Sequence, residues 1–218
     1  MKNTSRTSRF GLASTVTLLA AFALAGCGEE DPGEGVEGDT GTEQTSPSDA
    51  DQSAAATAEL QNPQGDDLGQ VEFYETDDGT EVVVDVQNLD EGFYGLHLHE
   101  NGECETDSQT PDDPAETGDF LSAGGHIAGE ADADHPDHAG DLPALLVNED
   151  NTAQMSVVTN RLEVSELVGQ DGAAVMIHSD ADNYANVPDR YLDGENPDDD
   201  TLSTGDAGDR IGCGVIEG

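Results

Sequence analysis

Residues 68–89 read LGQVEFYETDDGTEVVVDVQNL. Apolar and polar residues alternate on both sides of Asp78-Gly79, with Val71 and Phe73 before it and Val82, Val84 and Val86 after it. A period of two is the pattern of a strand with one buried face, and Asp-Gly is a strong hairpin signal. The stretch therefore predicts two antiparallel strands joined by a tight turn. The same grammar continues outward in AAATAEL (54–60), FYGLHLHE (93–100), PALLVN (143–148), TAQMSVVTN (152–160), AAVMIHSD (173–180) and RIGCGVIE (210–217). RLEVSELVG (161–169) reads as a single helical turn or a loop. Eight short strands without strong helical periodicity predict an all-β domain, an eight-stranded antiparallel Greek-key barrel or sandwich.

The amino-terminal part follows different rules. Residues 1–27 read as a targeting signal, with Lys2, Arg6 and Arg9 ahead of the apolar run LASTVTLLAAFALAG, which is short for a membrane span. The run ends in Leu24-Ala25-Gly26-Cys27 and resembles a lipoprotein signal, whose cleavage leaves Cys27 as a lipid-modified first residue. The alternative is a plain secretory signal with an incidental cysteine. Acyl chains on Cys27 would hold the protein at a membrane surface outside the cytoplasm without a spanning helix. Residues 28–53 contain no aromatic and one aliphatic residue beyond alanine, so they read as a solvated acidic tether, and 54–218 as the folded domain.

All 49 acidic residues follow Cys27, together with only three of the six basic ones and no lysine. Such a chain repels nucleic acid and anionic membrane surfaces, which excludes both as direct partners. The balance suits a salty habitat, where the Debye length falls to about 3 Å at 1 M. A disordered acidic polymer is excluded by the apolar alternation beyond residue 53.

Residues 95–104, GLHLHENGEC, place histidine at alternate strand positions. His97 and His99 then share one face, roughly 6.6 Å apart along the strand. Two imidazoles there suit a grip on one ion, or two ordinary half-buried polar residues. All six histidines lie between 97 and 178: His97, His99, His126, His135, His138 and His178. The two longest connections, 101–142 and 181–209, adjoin the histidine-bearing strands, and long loops in a compact domain tend to be functional. HPDHAGD adds Asp141 three residues after His138. Imidazole nitrogens with a carboxylate suit zinc or copper, whereas calcium or magnesium would call for oxygen ligands.

Taken in order, GLHLHE, FLSAGGH, HAGDLP, MIHSDADNYANVP and TGDAGDRIGCGVI resemble the copper/zinc superoxide dismutases over about residues 54–216. The resemblance implies copper ligands His97, His99, His126 and His178, with His126 bridging to a zinc held also by His135, His138 and Asp141. It implies dismutation of superoxide to oxygen and hydrogen peroxide at the copper, with His126 as proton donor. Asp182 falls where the family has a carboxylate bonding one copper and one zinc histidine, here His97 and His135. Arg210 matches the arginine that attracts and positions the superoxide anion, and Thr204 the threonine that narrows the same channel. Cys104 and Cys213 match the family's disulfide, leaving no free thiol once Cys27 carries lipid. The implied setting is the cell envelope or periplasm, as a monomer or homodimer, with membrane contact only through Cys27.

Two features depart from the family. His135-Pro136-Asp137-His138 is shorter than the usual insert, and some relatives with shortened loops hold copper alone. Retention of His135, His138 and Asp141 keeps zinc as the expectation, with Asp132, Asp134 and Asp137 either substitute ligands or solvated. The channel also lacks the lysines that relatives often carry. A second function class, a non-catalytic metal-storage domain of the same fold, has no need for an anion-positioning Arg210.

Overall fold

The computed structural model describes residues 53–111, 113–129, 133–192, 194 and 196–218. The leader 1–27 with Cys27, the tether apart from Ser53, and Asp132 lie outside the described residues.

In chain order the strands are β1 (Ala56–Gln61), β2 (Asp67–Thr76), β3 (Gly79–Gln87), β4 (Gly92–Tyr94), β5 (Leu96–His99), β6 (Ser108–Gln109), β7 (Thr117–Gly118), β8 (Leu145–Val147), β9 (Thr152–Thr159), β10 (Ala174–His178) and β11 (Arg210–Val215). Seven of them form one antiparallel sheet in the order β5-β10-β11-β1-β2-β3-β9. That sheet curls into a half-barrel, and β4 pairs separately with β8. All eight predicted strand segments are present.

The opening hairpin forms as its pattern requires. Thr76 pairs with Gly79 at the turn, and Val71, Phe73, Val82, Val84 and Val86 are buried in the core. Gly79 stands at φ 126°, a backbone state that only glycine adopts without strain. The short segment after β9 becomes α1 (Val164–Leu167), capped reciprocally by Glu163 and Glu166, with Val164 and Leu167 buried.

FYGLHLHE is two strands rather than one. The chain breaks at Gly95, whose N–H donates to Asp180 O at 2.8 Å while its carbonyl accepts from His178 N at 2.9 Å. A Cβ at this position would stand 2.6 Å from Ala207 Cβ, so the crossing of the two loop-bearing strands admits only glycine. β4 then leaves to pair with β8, while β5 stays in the main sheet.

Every residue of β5 and β10 is buried, which makes these strands two-sided. Leu96, Leu98, Val175 and Ile177 face the main core. Ala174 and Met176 pack on the other face with Phe120, Ala123 and Cys213 beneath the 101–142 loop. His97, His99 and His178 share that outer face by strand alternation, so the loop that covers it also walls in the histidines. The Cys104–Cys213 disulfide, with Cα atoms 5.7 Å apart, ties this loop to β11. Among the described residues no helix is long and apolar enough to cross a membrane.

Candidate metal centre

The register of β5 and β10 sets the first three imidazoles. Met176 opposes His97 and Ala174 opposes His99, while a shift between Ile177 and His178 sets His178 opposite Arg210. Such a bulge re-aims one side chain without ending the strand. His126 is brought in by an isolated bridge to His99, and Asp141 by one to His97. His126 therefore lies centrally, its ring centroid 4.0 Å from His97, 5.0 Å from His99, 5.7 Å from His135 and 5.5 Å from His138.

Four of the imidazoles have one nitrogen committed and one left over. His97 Nε2 and His135 Nε2 both bond Asp182, to its two oxygens, at 2.8 Å each. His99 Nδ1 faces Gly124 O at 2.9 Å, and His178 Nδ1 faces Gly208 O at 3.2 Å. Carbonyl and carboxylate oxygens only accept, so these nitrogens carry the hydrogen and, in the neutral ring, their ring partners hold a lone pair. Those partners, His97 Nδ1, His99 Nε2, His135 Nδ1 and His178 Nε2, together with His138 Nδ1, are buried with no hydrogen-bond partner. Five inward-facing nitrogens would be a large desolvation cost unless a cation takes their lone pairs.

The orphaned nitrogens fall into two sets around His126. His97, His99, His126 and His178 offer ligand atoms within 4.8 Å of one another, an all-nitrogen set that suits copper. His126, His135 and Asp141 belong to a second such group, which also includes His97. His97 has only Nδ1 free, since Nε2 is held by Asp182. On the second side, His135 Nδ1 and His138 Nδ1 each approach Asp141 Oδ2 to 3.1 Å, and His126 Nδ1 approaches Asp141 Oδ1 to 2.8 Å. The edge of a tetrahedron with metal–ligand bonds near 2.0 Å is about 3.3 Å, so the approaches of His135 and His138 to Asp141 Oδ2 are of the size a zinc site requires, although the second close group contains His97 and not His138. The short His135-to-His138 spacing is thus compatible with a closed site. Asp137 turns outward, its side chain 78% exposed and 3.5 Å from Arg161, and Asp134 is also exposed, so neither serves as a substitute ligand.

The electrostatics divide along the same line. Burial, then the charge of Arg210, pushes His99 well below its ordinary value. Burial lowers His126 to about 4 and His178 to about 3, so these imidazoles stay neutral and keep their lone pairs. Burial would lower His135 as well, but the Asp141 and Asp182 carboxylates facing its two nitrogens raise it to about 9, so a cation at Nδ1 would take the place of a proton. Both carboxylates are held well below their usual range by their histidine partners, against the opposing effect of burial.

A cavity of about 970 Å³ leads to His99, His126 and His178, and is lined also by Thr204 and Arg210. Arg210 Nη1 donates to Phe120 O and Nη2 to Gly124 O, both at 2.7 Å, which fixes a half-buried guanidinium at the cavity wall. Thr204 ends α2 (Asp199–Thr204), where its hydroxyl donates to Asp200 O at 2.8 Å. Gly205 follows at φ 63°, and a Cβ there would collide with Asp182 and His135, so the loop passes this pair only as glycine. Every histidine singled out in the sequence, with Asp141, Asp182, Thr204 and Arg210, is thereby gathered at one place.

The family profile described as "Copper/zinc superoxide dismutase (SODC)" matches residues 68–216. The chain belongs to that family. It is 36% identical over 167 residues to the "Superoxide dismutase [Cu-Zn]" of Mycolicibacterium paratuberculosis, covering 73% of each chain. It is 41% identical over 141 residues to the protein of the same name from Mycobacterium tuberculosis, covering 63% of this chain and 58% of that one. Among solved structures it resembles the Cu/Zn superoxide dismutase of Brucella abortus, with 30% identity and a TM-score of 0.55, covering 74% of this chain and 99% of the other.

Several residues around this dismutase-family centre escape a sequence reading. The carbonyls of Phe120, Gly124 and Gly208 orient Arg210, His99 and His178, and a backbone acceptor has no side-chain signature. Tyr184 stacks on His135 at 6.3 Å between centroids and 10° between planes, and its N–H donates to Asp182 Oδ1 at 2.7 Å. It stands at φ 55°, a left-handed backbone that nothing in DADNYANVP announces.

Proposed function

We propose that the protein dismutes superoxide outside the cytoplasm, with copper held by His97, His99, His126 and His178 and zinc by His126, His135, His138 and Asp141. The observation that carries this reading is the set of buried, partnerless nitrogens ringed around His126 beneath a cavity that also holds Arg210. Copper, when bound, supplies the one-electron couple that turns one superoxide into dioxygen and a second into peroxide, while zinc supplies charge without redox chemistry.

The chain's own groups do the rest. Arg210 attracts the anion and orients it beside the histidines, held in place by the Phe120 and Gly124 carbonyls. His126 turns Nδ1 to Asp141, and with that nitrogen given to zinc Nε2 would be the atom that takes up a proton and passes it to the forming peroxide. Two protons are consumed for each pair of superoxide ions, giving one dioxygen and one hydrogen peroxide. Asp182 holds His97 and His135 at fixed angles, so the two halves of the centre share one orienting carboxylate. Thr204 narrows the mouth of the cavity.

Two features support that location: the leader-like stretch ending at Cys27 and a disulfide of the kind that persists in an oxidising compartment. Lipid on Cys27 would anchor the enzyme to the envelope. The acid-rich surface suits a salty medium. Mass spectrometry of the mature amino terminus tests the anchor: acylated Cys27 is expected, and an unmodified or absent Cys27 contradicts it.

The activity is tested by exchanging His178 for alanine in metal-loaded protein. Dismutation should fall to background although zinc is retained. Full activity in that variant would contradict the ligand assignment, whereas copper binding without dismutation in the unmutated protein would favour a storage role.

A further inference from the structure

Arg161 reaches from the barrel to the turn that carries two of the proposed zinc ligands. Its backbone is well founded: its N–H donates to Thr159 Oγ1 at 3.2 Å, and the next residue, buried Leu162, accepts from buried Thr80 Oγ1 at 3.0 Å. From that foothold Nη1 donates to Pro136 O at 2.7 Å and to His138 O at 3.0 Å. Nη2 stands 3.5 Å from Asp137 Oδ1. One guanidinium thus grips the His135-to-His138 turn at two carbonyls and one carboxylate.

The two kinds of contact differ in weight. Asp137 is 78% exposed and Arg161 41% exposed, and an ion pair in that setting contributes little. The carbonyl contacts are charge-assisted hydrogen bonds to backbone, so they fix the path of the turn rather than the position of a free side chain. That path decides where His135 Nδ1 and His138 Nδ1 point, and both nitrogens aim at Asp141 from 3.1 Å. Other ties of this turn are His135 N–H to Leu202 O of α2 at 2.7 Å, Asp137 N–H to Asp134 O at 2.8 Å, His138 N–H to Asp141 Oδ2 at 2.9 Å and Asp141 N–H to His138 O at 3.3 Å. Arg161 ties the turn to the chain just beyond β9, alongside Asp141, which bonds His138 N–H and bridges to His97 of β5.

Only three basic residues follow Cys27, namely Arg161, Arg190 and Arg210. Arg210 lines the cavity, and Arg190 stands over the Tyr191 ring at 4.6 Å in the other long loop. In a chain with 49 acidic side chains to choose from, Arg161 spends its shortest hydrogen bonds on two carbonyls beside zinc ligands.

We propose that Arg161 is a positioning residue for the zinc half of the centre, holding the shortened His135-to-His138 turn so that zinc is retained while copper is left unaffected. This rests on reading His135, His138 and Asp141 as zinc ligands. Lysine would be an incomplete substitute, since its single ammonium lacks the planar fork and has a different reach.

The test compares metal release from fully copper- and zinc-loaded full-length protein during incubation with excess chelator, following the two metals separately. Arg161→Ala and the neutral, hydrogen-bonding Arg161→Gln should release zinc about 10-fold or more faster than the unmutated protein, the loss typical when a partner that orients a ligand is removed. Copper release should stay unchanged. Arg161→Lys should fall between, and Arg190→Ala, which removes the same charge elsewhere, should match the unmutated protein. Equal zinc release in Arg161→Gln and unmutated protein would overturn the proposal, as would equal acceleration of both metals. If Arg161→Ala does not fold, Arg161→Gln and Arg161→Lys carry the comparison. Failure of the unmutated protein to hold zinc would instead overturn the zinc assignment itself, and the proposal with it.

Discussion

His99 and Arg210 share one acceptor. The Gly124 carbonyl takes His99 Nδ1 at 2.9 Å and Arg210 Nη2 at 2.7 Å, so a proposed copper ligand and the cation beside it are aimed by the same oxygen. Gly124 itself has φ 76° with Glu100 and Asn101 packed against it, which leaves no room for a side chain. Fixing both groups from one backbone atom holds the guanidinium and the His99 imidazole in register without a further side chain.

Arg210→Ala should lower kcat/KM for superoxide by roughly 10-fold or more, within the range by which focused charge raises encounter rates. Arg210→Lys should recover part of the loss, since it keeps the charge but not the two-carbonyl fork. Metal content should be unchanged in both variants. Stopped-flow decay of superoxide checks this, and an unaffected rate in Arg210→Ala would remove the arginine from the account.

Asp182→Asn should cost more on the zinc side than on the copper side. Asp182 is the one carboxylate shared by His97 and His135, and loss of such a partner weakens metal affinity by about 10–100-fold. Copper keeps His99 and His178, both oriented by carbonyls and independent of Asp182. Equilibrium dialysis against a graded chelator should show zinc leaving first. Loss of copper ahead of zinc would contradict this division.

Activity should rise as salt is added from low to molar concentration. The cavity holding Arg210 is also lined by Glu116, Asp119 and Asp209, and no lysine follows Cys27 to offset them. Screening at a Debye length of about 3 Å weakens the broad acidic field more than the short-range pull of a half-buried guanidinium. Initial rates on fully metallated protein measure the effect. A monotonic fall with salt would show that attraction to Arg210 dominates at long range.

Cys104→Ser together with Cys213→Ser should lower the unfolding free energy by about 2–5 kcal/mol, as expected for a native disulfide spanning a long loop. The bridge joins residues 109 apart and clamps the loop that carries the Phe120 and Gly124 carbonyls. The double variant should therefore also lose activity under conditions where it remains folded. Urea titration with the rate followed in parallel checks both, and an unchanged midpoint would mean the loop is held by packing alone.

Much of this arrangement is legible in the chain because the residues involved carry strong local signals. Alternation in 68–89 fixes the hairpin and the buried faces, and histidine at 97, 99 and 178 falls on strands whose apolar neighbours set their facing. What is not legible depends on backbone meeting backbone. FYGLHLHE alternates through Gly95 as though unbroken, yet the crossing with the 181–209 loop splits it. α2 was also hidden in that loop, although Asp198, whose carboxylate caps Thr201 N–H at 2.9 Å, and Gly205 just beyond Thr204 are ordinary start and stop signals. Arg161 carried one usable clue, its rarity as a cation, but its partners are carbonyls that no sequence pattern marks.

The central claim is that one copper and one zinc share His126 at the base of the Arg210 cavity and that copper there dismutes superoxide. Stripping the purified protein of metal, then restoring copper alone, zinc alone or both, while measuring bound metal and superoxide decay, tests it most directly. Saturation at one ion of each per chain is expected, with no activity for zinc alone and full activity only when copper is present. Copper bound at that stoichiometry with no dismutation, or dismutation in the zinc-only protein, would contradict it.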